Sequence, residues 1–255
     1  MTFDQALTGQ VFAFLLIFTR LGTAFTLLPG FGDSYVSQRI RLLLALAVSF
    51  VVLPVLAPHL PPMPKSVSEL FVLLGQEFFV GVFLGTFSKL LMSALETAGA
   101  IIAMSAGLSA AQMFNPAMAS QSTLPGALLG YAAVLLVFVT NQHHLLILAV
   151  VDSYELFVPG QALPIGDFAD MITKLVAHSF AVGTQMAAPF LIFGFGFNLA
   201  LGILTKMMPQ LQIFTLIQSV QIAIGLFMFA VVMAATLMFW LRDFEDAVMG
   251  FLGTN

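Results

Sequence analysis

From Thr97 to Val151 the chain reads TAGAIIAMSAGLSAAQMFNPAMASQSTLPGALLGYAAVLLVFVTNQHHLLILAVV, 55 residues without an Asp, Glu, Lys or Arg. A soluble domain carries charge on about a quarter of its residues. Here only 8 % of the 255 residues are charged, 60 % are apolar, and mean hydropathy is +1.05. Such a surface is hidden only in lipid or against equally apolar chains. The sequence therefore predicts an all-α, polytopic hydrophobic helical protein, a single integral-membrane domain over 1–255.

Working outward, a helix that crosses a bilayer needs about 20 apolar residues at 1.5 Å rise. Long apolar runs span Val11–Leu28, Leu42–Ala57, Leu70–Met92, Gly126–Val151, Leu175–Leu204 and Leu211–Leu241. A seventh run, Ala94–Phe114, is rich in Ala, Gly and Ser and is the weakest span. Pro29-Gly30-Phe31-Gly32 closes the first run, and Pro54 with Pro58, Pro61, Pro62 and Pro64 turns the end of the second into a stiff extended connector. Asp152–Asp170 reads as an acidic loop, Lys206–Gln210 as a hinge, and Arg242–Asp246 as a return to water. Twenty-seven Phe and 14 Met against one Trp and three Tyr leave the usual interfacial aromatic belts unfilled, so much of this surface is expected to meet protein.

Charge does not orient the chain. Six spans place Arg39, Arg41, Lys89 and Lys206 on one side against Lys65, Lys174 and Arg242 on the other. Counting Ala94–Phe114 as a span gives five against two, with the N-terminus outside. The acidic start, Met1-Thr2-Phe3-Asp4, lacks the basic region of a signal peptide, so the first run is expected to be retained. Cysteine is absent, which excludes disulfides, zinc thiolates, iron–sulfur clusters and Cys nucleophiles.

Ionisable groups inside apolar runs face a partner, a cavity or a pathway. Arg20, Glu77, Lys89 and Glu96 are of this kind. The favoured reading pairs Arg20 with a carboxylate such as Glu77 and lets Lys89 snorkel. Proton carriage by Glu77 is the sharper alternative, with no relay evident beside it. His143 and His144 project about 100° apart on a helix, so they do not chelate a metal as an i, i+4 pair would. Interhelical hydrogen bonding is favoured for them over pH sensing. Gly81-x-x-x-Gly85 and Gly126-x-x-x-Gly130 permit close helix packing. No metal-binding, nucleophile-elbow, Walker or dinucleotide motif is present. No catalytic, cofactor or metal site is predicted.

One further stretch stands out. Gly107-Leu108-Ser109-Ala110-Ala111-Gln112-Met113-Phe114-Asn115-Pro116-Ala117-Met118 is apolar enough to be buried yet full of turn-forming residues. Non-helical backbone at membrane depth is tolerated only inside protein or beside a water-filled cavity, and Met and Phe make a compliant seal. On these residues alone, an ordinary interhelix connector is equally acceptable.

In order along the chain, Arg20, Leu28-Pro29-Gly30-Phe31-Gly32 and Arg39-Ile40-Arg41-Leu42-Leu43-Leu44-Ala45-Leu46 resemble the opening of the FliR family. Glu77 with Gly81 and Gly85, Ala98-Gly99, His143 before Asp152-Ser153, and Pro159-Gly160 resemble its middle. Ala188-Pro189, Asn198–Gly202 and Met208-Pro209-Gln210-Leu211-Gln212-Ile213-Phe214 are the most specific stretch, and Lys206 stands just before it. After Phe214 the run Thr215–Val220 departs from the Gly-and-Pro pattern of many members, leaving the local helix geometry open.

The resemblance implies a subunit of the flagellar type III export gate in the bacterial inner membrane, at the basal body. The injectisome has a homologous subunit. It also implies assembly of one copy with several copies each of FliP and FliQ in a closed cone of tilted helical hairpins, with FlhB at the cytoplasmic entrance. Exported flagellar proteins would be transient cargo. A family plug maps onto Gly107 to about Ser122, with Gly107, Leu108, Gln112, Met113, Phe114, Asn115, Pro116 and Met118 as gate residues. A secondary transporter using Glu77, His143 and His144 with helices broken at Pro189 and Pro209 is one alternative. A scaffold that never touches cargo is the other.

Overall fold

A computed structural model describes residues 3–108, 122–207 and 213–253. Among these, every regular element is helical: α1 (Phe3–Leu27), α2 (Gln38–Leu56) with a 3₁₀ turn at Ala57–His59, α3 (Val67–Ser105), α4 (Leu124–Val139), α5 (Gln142–Leu156), α6 (Ile165–Met207) and α7 (Ile213–Leu252). Among the described residues, five helices are long and apolar enough to cross a membrane, or six spans if α4 and α5 count as one broken span.

Several predicted boundaries change. The run Leu70–Met92 and the first part of the run Ala94–Phe114 form one helix, α3, because Ser93 between them, and Glu96 and Thr97 just after, include neither Pro nor a turn pair. The run Gly126–Val151 is broken at Asn141, which adopts a left-handed conformation (φ 60°) that Asn tolerates better than most residues. His143 and His144 thus lie in the first turn of α5, at a break, and not in mid-helix. Pro54 stays inside α2, close enough to its end that a lost backbone bond is tolerated. The acidic loop shrinks to 157–164, because buried Ser153 and Tyr154 keep α5 helical to Leu156 and Pro164 leads directly into α6. Arg242–Asp246 lies within α7, where Trp240, Phe244 and Val248 at i, i+4 and i+8 are buried and carry the helix on. The Thr215–Val220 departure is likewise accommodated in a continuous α7.

The described chain divides into two compact units, and α3, α6 and α7 each run from one into the other. The first comprises 1–91, 140–175 and 245–255. Its centre is α1, which buries Phe12, Ala13, Leu16, Ile17, Leu21, Ala24, Phe25 and Leu28 along one helical stripe. Gly81 and Gly85 let α3 approach that helix closely: a Cβ on Gly81 would strike the Arg20 carbonyl and Thr23, and one on Gly85 would reach Leu27. The turn after α1 is tied by the Gly32 N–H to the Leu28 carbonyl (2.8 Å), and Arg41 of α2 reaches back to the carbonyls of Phe31 and Asp33 (both 3.0 Å).

The second unit comprises 92–139 and 176–244. Here the small residues of α3 form the core: Ala94, Ala98, Ala103 and Ala106 are all at most 2 % exposed. Helix α4 docks on Gly99 through Gly126, and α6 docks through Gly183 onto the Ala94 carbonyl and Thr97. Large apolar side chains remain outside, Ile192 and Phe195 of α6 being 76 % and 75 % exposed.

Candidate functional site

In the first unit, Arg20 occupies the buried stripe of α1, with leucines and alanines above and below, and is only 1 % exposed. A guanidinium there needs complete hydrogen bonding. Its Nε donates to Glu77 Oε2 (2.6 Å), and Nη2 donates to Glu77 Oε1 (3.0 Å) and to the Phe157 carbonyl (2.9 Å). Nη1 donates to Ser153 Oγ (3.1 Å), and the guanidinium carbon lies 3.7 Å from the centroid of the Tyr154 ring. The paired fork on Glu77, itself 1 % exposed, is the geometry Arg makes best. The cluster joins α1, α3, α5 and the segment after α5. Both Glu77 oxygens are taken up by the guanidinium, as the pairing read from the sequence expects.

In the second unit, the structure describes the two ends of the segment in which the sequence places a gate. Gly107, Leu108 and Ser122 are described; Gln112, Met113, Phe114, Asn115, Pro116 and Met118 lie outside the described residues. Helix α3 ends in a Schellman turn: Gly107 takes φ +75°, its N–H donates to Met104, and the Leu108 N–H donates to Ala103 (2.9 Å). The next carbonyl, that of Ser105, accepts a hydrogen bond from Gln221 Nε2 of α7 (2.9 Å). Two glycines bring other helices against the same turn. A Cβ on Gly194 of α6 would come within 3.0–3.1 Å of Ser105, and one on Gly225 of α7 would collide with Ala106.

At the far end, Thr123 caps α4 by accepting from the Gly126 N–H (3.3 Å), with Pro125 in the first turn where its missing N–H costs least. Gly126 then meets Gly99 of α3 backbone to backbone. The chain therefore leaves α3 at Gly107 and returns to it at Gly99, points about 12 Å apart along the helix axis.

The other residues singled out in sequence are scattered. Pro29 and Gly32 belong to the turn after α1, and Arg39 is exposed on α2. The His143 and His144 rings are 4.1 Å apart, and no group of three metal-ligating side chains occurs among the described residues. Pro189 lies within an unbroken α6, so it does not supply the broken helix a transporter reading needs. Lys206 is in the last turn of α6, where a cation suits the helix dipole. Pro209 and Gln210 lie outside the described residues. Gly130 has nothing near its Cβ position, so only Gly126 of that pair mediates packing.

The sequence reading missed Gln221, Gly194, Gly225, Ser153 and Tyr154. Gln221 carries a usable signal in sequence, an amide inside the apolar run Leu211–Leu241.

A model of bacterial export proteins, family 1, matches residues 11–247. The flagellar biosynthetic protein FliR of Caulobacter vibrioides (strain ATCC 19089 / CIP 103742 / CB 15) is 36 % identical over 237 residues, covering 93 % of this chain and 94 % of that protein. FliR of Bacillus subtilis (strain 168) is 31 % identical over 226 residues, covering 87 % and 86 %. The Yop proteins translocation protein T of Yersinia pestis is 24 % identical over 215 residues, covering 83 % and 82 %. Matched along nearly its whole length by the family and by these relatives, the chain belongs to the FliR family of bacterial export proteins.

Proposed function

We propose that this chain is a pore-lining, gating subunit of the flagellar type III export gate in the bacterial inner membrane. It assembles there with FliP and FliQ, meets FlhB at the cytoplasmic entrance, and passes unfolded flagellar proteins. The segment from Gly107 to Ser122 closes the conduit. The observation that carries this reading is the pair of fixed roots: a Schellman turn held by α6 and α7 on one side, and a glycine-on-glycine contact with α3 on the other. The 13 residues 109–121 have a contour of about 45 Å, enough to reach roughly 20 Å from the roots and return. That suffices to occlude a channel of polypeptide width.

The Arg20 cluster serves as a structural clamp, and the chain performs no chemistry of its own. Deleting residues 109–121 should leave the assembled particle at its normal level while small solutes leak across the membrane of expressing cells. Unchanged permeability in a correctly assembled particle would remove the gating reading. The scaffold alternative separates from it through photocrosslinkers at Met113 or Phe114: capture of a stalled export substrate requires a lining residue.

A further inference from the structure

We infer that the groove between α1 and α2 is a phospholipid site, with one acyl chain along its length and an anionic headgroup on Arg41. This goes beyond the export reading and does not depend on it.

Helices α1 and α2, with Phe78 of α3, enclose a groove of about 500 Å³ within the first unit. Its walls include Phe18 and Gly22 of α1, Leu42 of α2 and Phe78. Thr19, Thr23 and Thr26 also line it, but their hydroxyls donate to the carbonyls of Leu15 (2.8 Å), Thr19 (2.8 Å) and Thr23 (2.6 Å) in their own helix. Along most of its length the groove therefore offers a ligand apolar contact and little else. Leu42 and Phe78 are still 52 % and 49 % exposed, so no other described part of the chain covers these walls.

Polar groups gather at one end. Gln38 and Arg41 line the groove where the 28–37 turn joins the two helices. Arg41 is half-buried and held in place: Nε donates to the Phe31 carbonyl (3.0 Å), and Nη2 to those of Asp33 (3.0 Å) and Val36 (3.5 Å). Carbonyls position a guanidinium without neutralising it. The turn has one acid, Asp33, whose Oδ2 accepts from the Gly30 N–H (2.8 Å) and the Tyr35 hydroxyl (2.7 Å). Among the described residues, no carboxylate lies within ion-pair distance of Arg41 or of Arg39 nearby. An apolar slot ending in an excess of positive charge is complementary to an amphiphile with a negative head.

Depth and width agree with this. Gln38–His59 is apolar and long enough to cross a bilayer, which puts its first residues at headgroup level. Tyr35, 57 % exposed in the same turn, is the kind of amphipathic ring that settles there. The groove follows α1 from Phe18 to Thr26, about 12 Å, so its mean cross-section is about 40 Å². A helix, about 10–12 Å across with its side chains, is too wide for that slot, whereas an extended hydrocarbon chain enters it.

The test is native mass spectrometry of the full chain in detergent, titrated with phosphatidylglycerol or phosphatidylethanolamine of equal chain length. The parent should retain one lipid per chain and favour phosphatidylglycerol about fivefold, the scale of one basic side chain near a charged headgroup. Arg41→Gln should abolish the preference. Arg41→Lys, which loses the planar fork but keeps the charge, should retain most of it. At Gly22 an added Cβ meets only the Phe18 ring, at 3.6–3.9 Å, so Gly22→Leu should fold with an unchanged thermal midpoint while its side chain occupies the slot. It should lose the retained lipid of either kind.

If the parent binds the two lipids alike, or if Gly22→Leu retains its lipid as the parent does, the inference is overturned. Equal loss of preference in Arg41→Lys and Arg41→Gln would mean that Arg41 only shapes the turn, and would overturn the headgroup assignment. Should Arg41→Gln fail to fold, the parent's preference and Gly22→Leu decide alone. If Gly22→Leu keeps its lipid but no longer assembles with partner subunits, the groove seats a protein segment and the lipid assignment is wrong.

Discussion

Arg20 has no route to solvent from the middle of the buried stripe of α1, so its energetics depend entirely on what the protein places around it. Two Glu77 oxygens, Ser153 and the Phe157 carbonyl satisfy it, while the Tyr154 ring covers its face. Removing one member of such a buried pair strands the other charge, at a cost of about 3–5 kcal/mol, whereas removing both is far milder. Arg20→Met or Glu77→Leu should therefore each lower the thermal unfolding midpoint sharply and reduce the amount of folded protein. The double variant should recover most of the loss. Additive losses in the double variant would show that the two residues act independently. The pair was legible in sequence because a charge inside an apolar run needs an opposite charge. Ser153 and Tyr154 were not, because a Ser and a Tyr at the edge of an acidic stretch give no sign of facing inward.

At the level of the helices, apolar runs revealed existence and type but not continuity. Ser93 separates two runs in the sequence and is simply a polar residue of α3, whereas Thr140-Asn141 falls inside one run and is a break. Both outcomes depend on backbone conformation at one or two residues, which hydropathy does not register. Glycine spacing was similarly partial. Gly126 meets Gly99 across two helices, while Gly130, one turn further on, faces nothing. Which glycine is used depends on where α3 passes, a tertiary fact. Gly99→Val should thus cost about 3 kcal/mol or more, because two backbones cannot part by a side chain's width without losing the docking of α4. Gly130→Ala should be neutral or gain up to about 1 kcal/mol from helix propensity. The comparison can be read from thermal midpoints of the two variants, and equal effects would mean that the α3–α4 contact is not a determinant of stability.

For the whole molecule, helices of 39, 43 and 40 residues are about 60 Å long, twice the hydrocarbon thickness of a bilayer. Upright, they cannot lie wholly in lipid, and their exposed Phe and Ile side chains call for cover by lipid or by other chains. Composition announced this surplus of apolar surface. It could not announce the partition into two units, since each is assembled from segments far apart in sequence. Co-expression with FliP and FliQ should give a discrete particle containing one copy of this chain by native mass spectrometry. A stable monomer indifferent to those partners would contradict that assignment.

The discontinuity of the first unit has a consequence for how the protein is made. Val248 and Phe251 line one small cavity with Leu28, Leu84, Phe87, Leu146 and Val150, and the Phe87 and Phe251 rings are 5.2 Å apart, so the first unit draws part of its core from a segment made long after α1 and the start of α3. A nascent chain that has not yet reached residue 245 lacks that part of the core, so the first unit is completed only after the later half of α7 has been made.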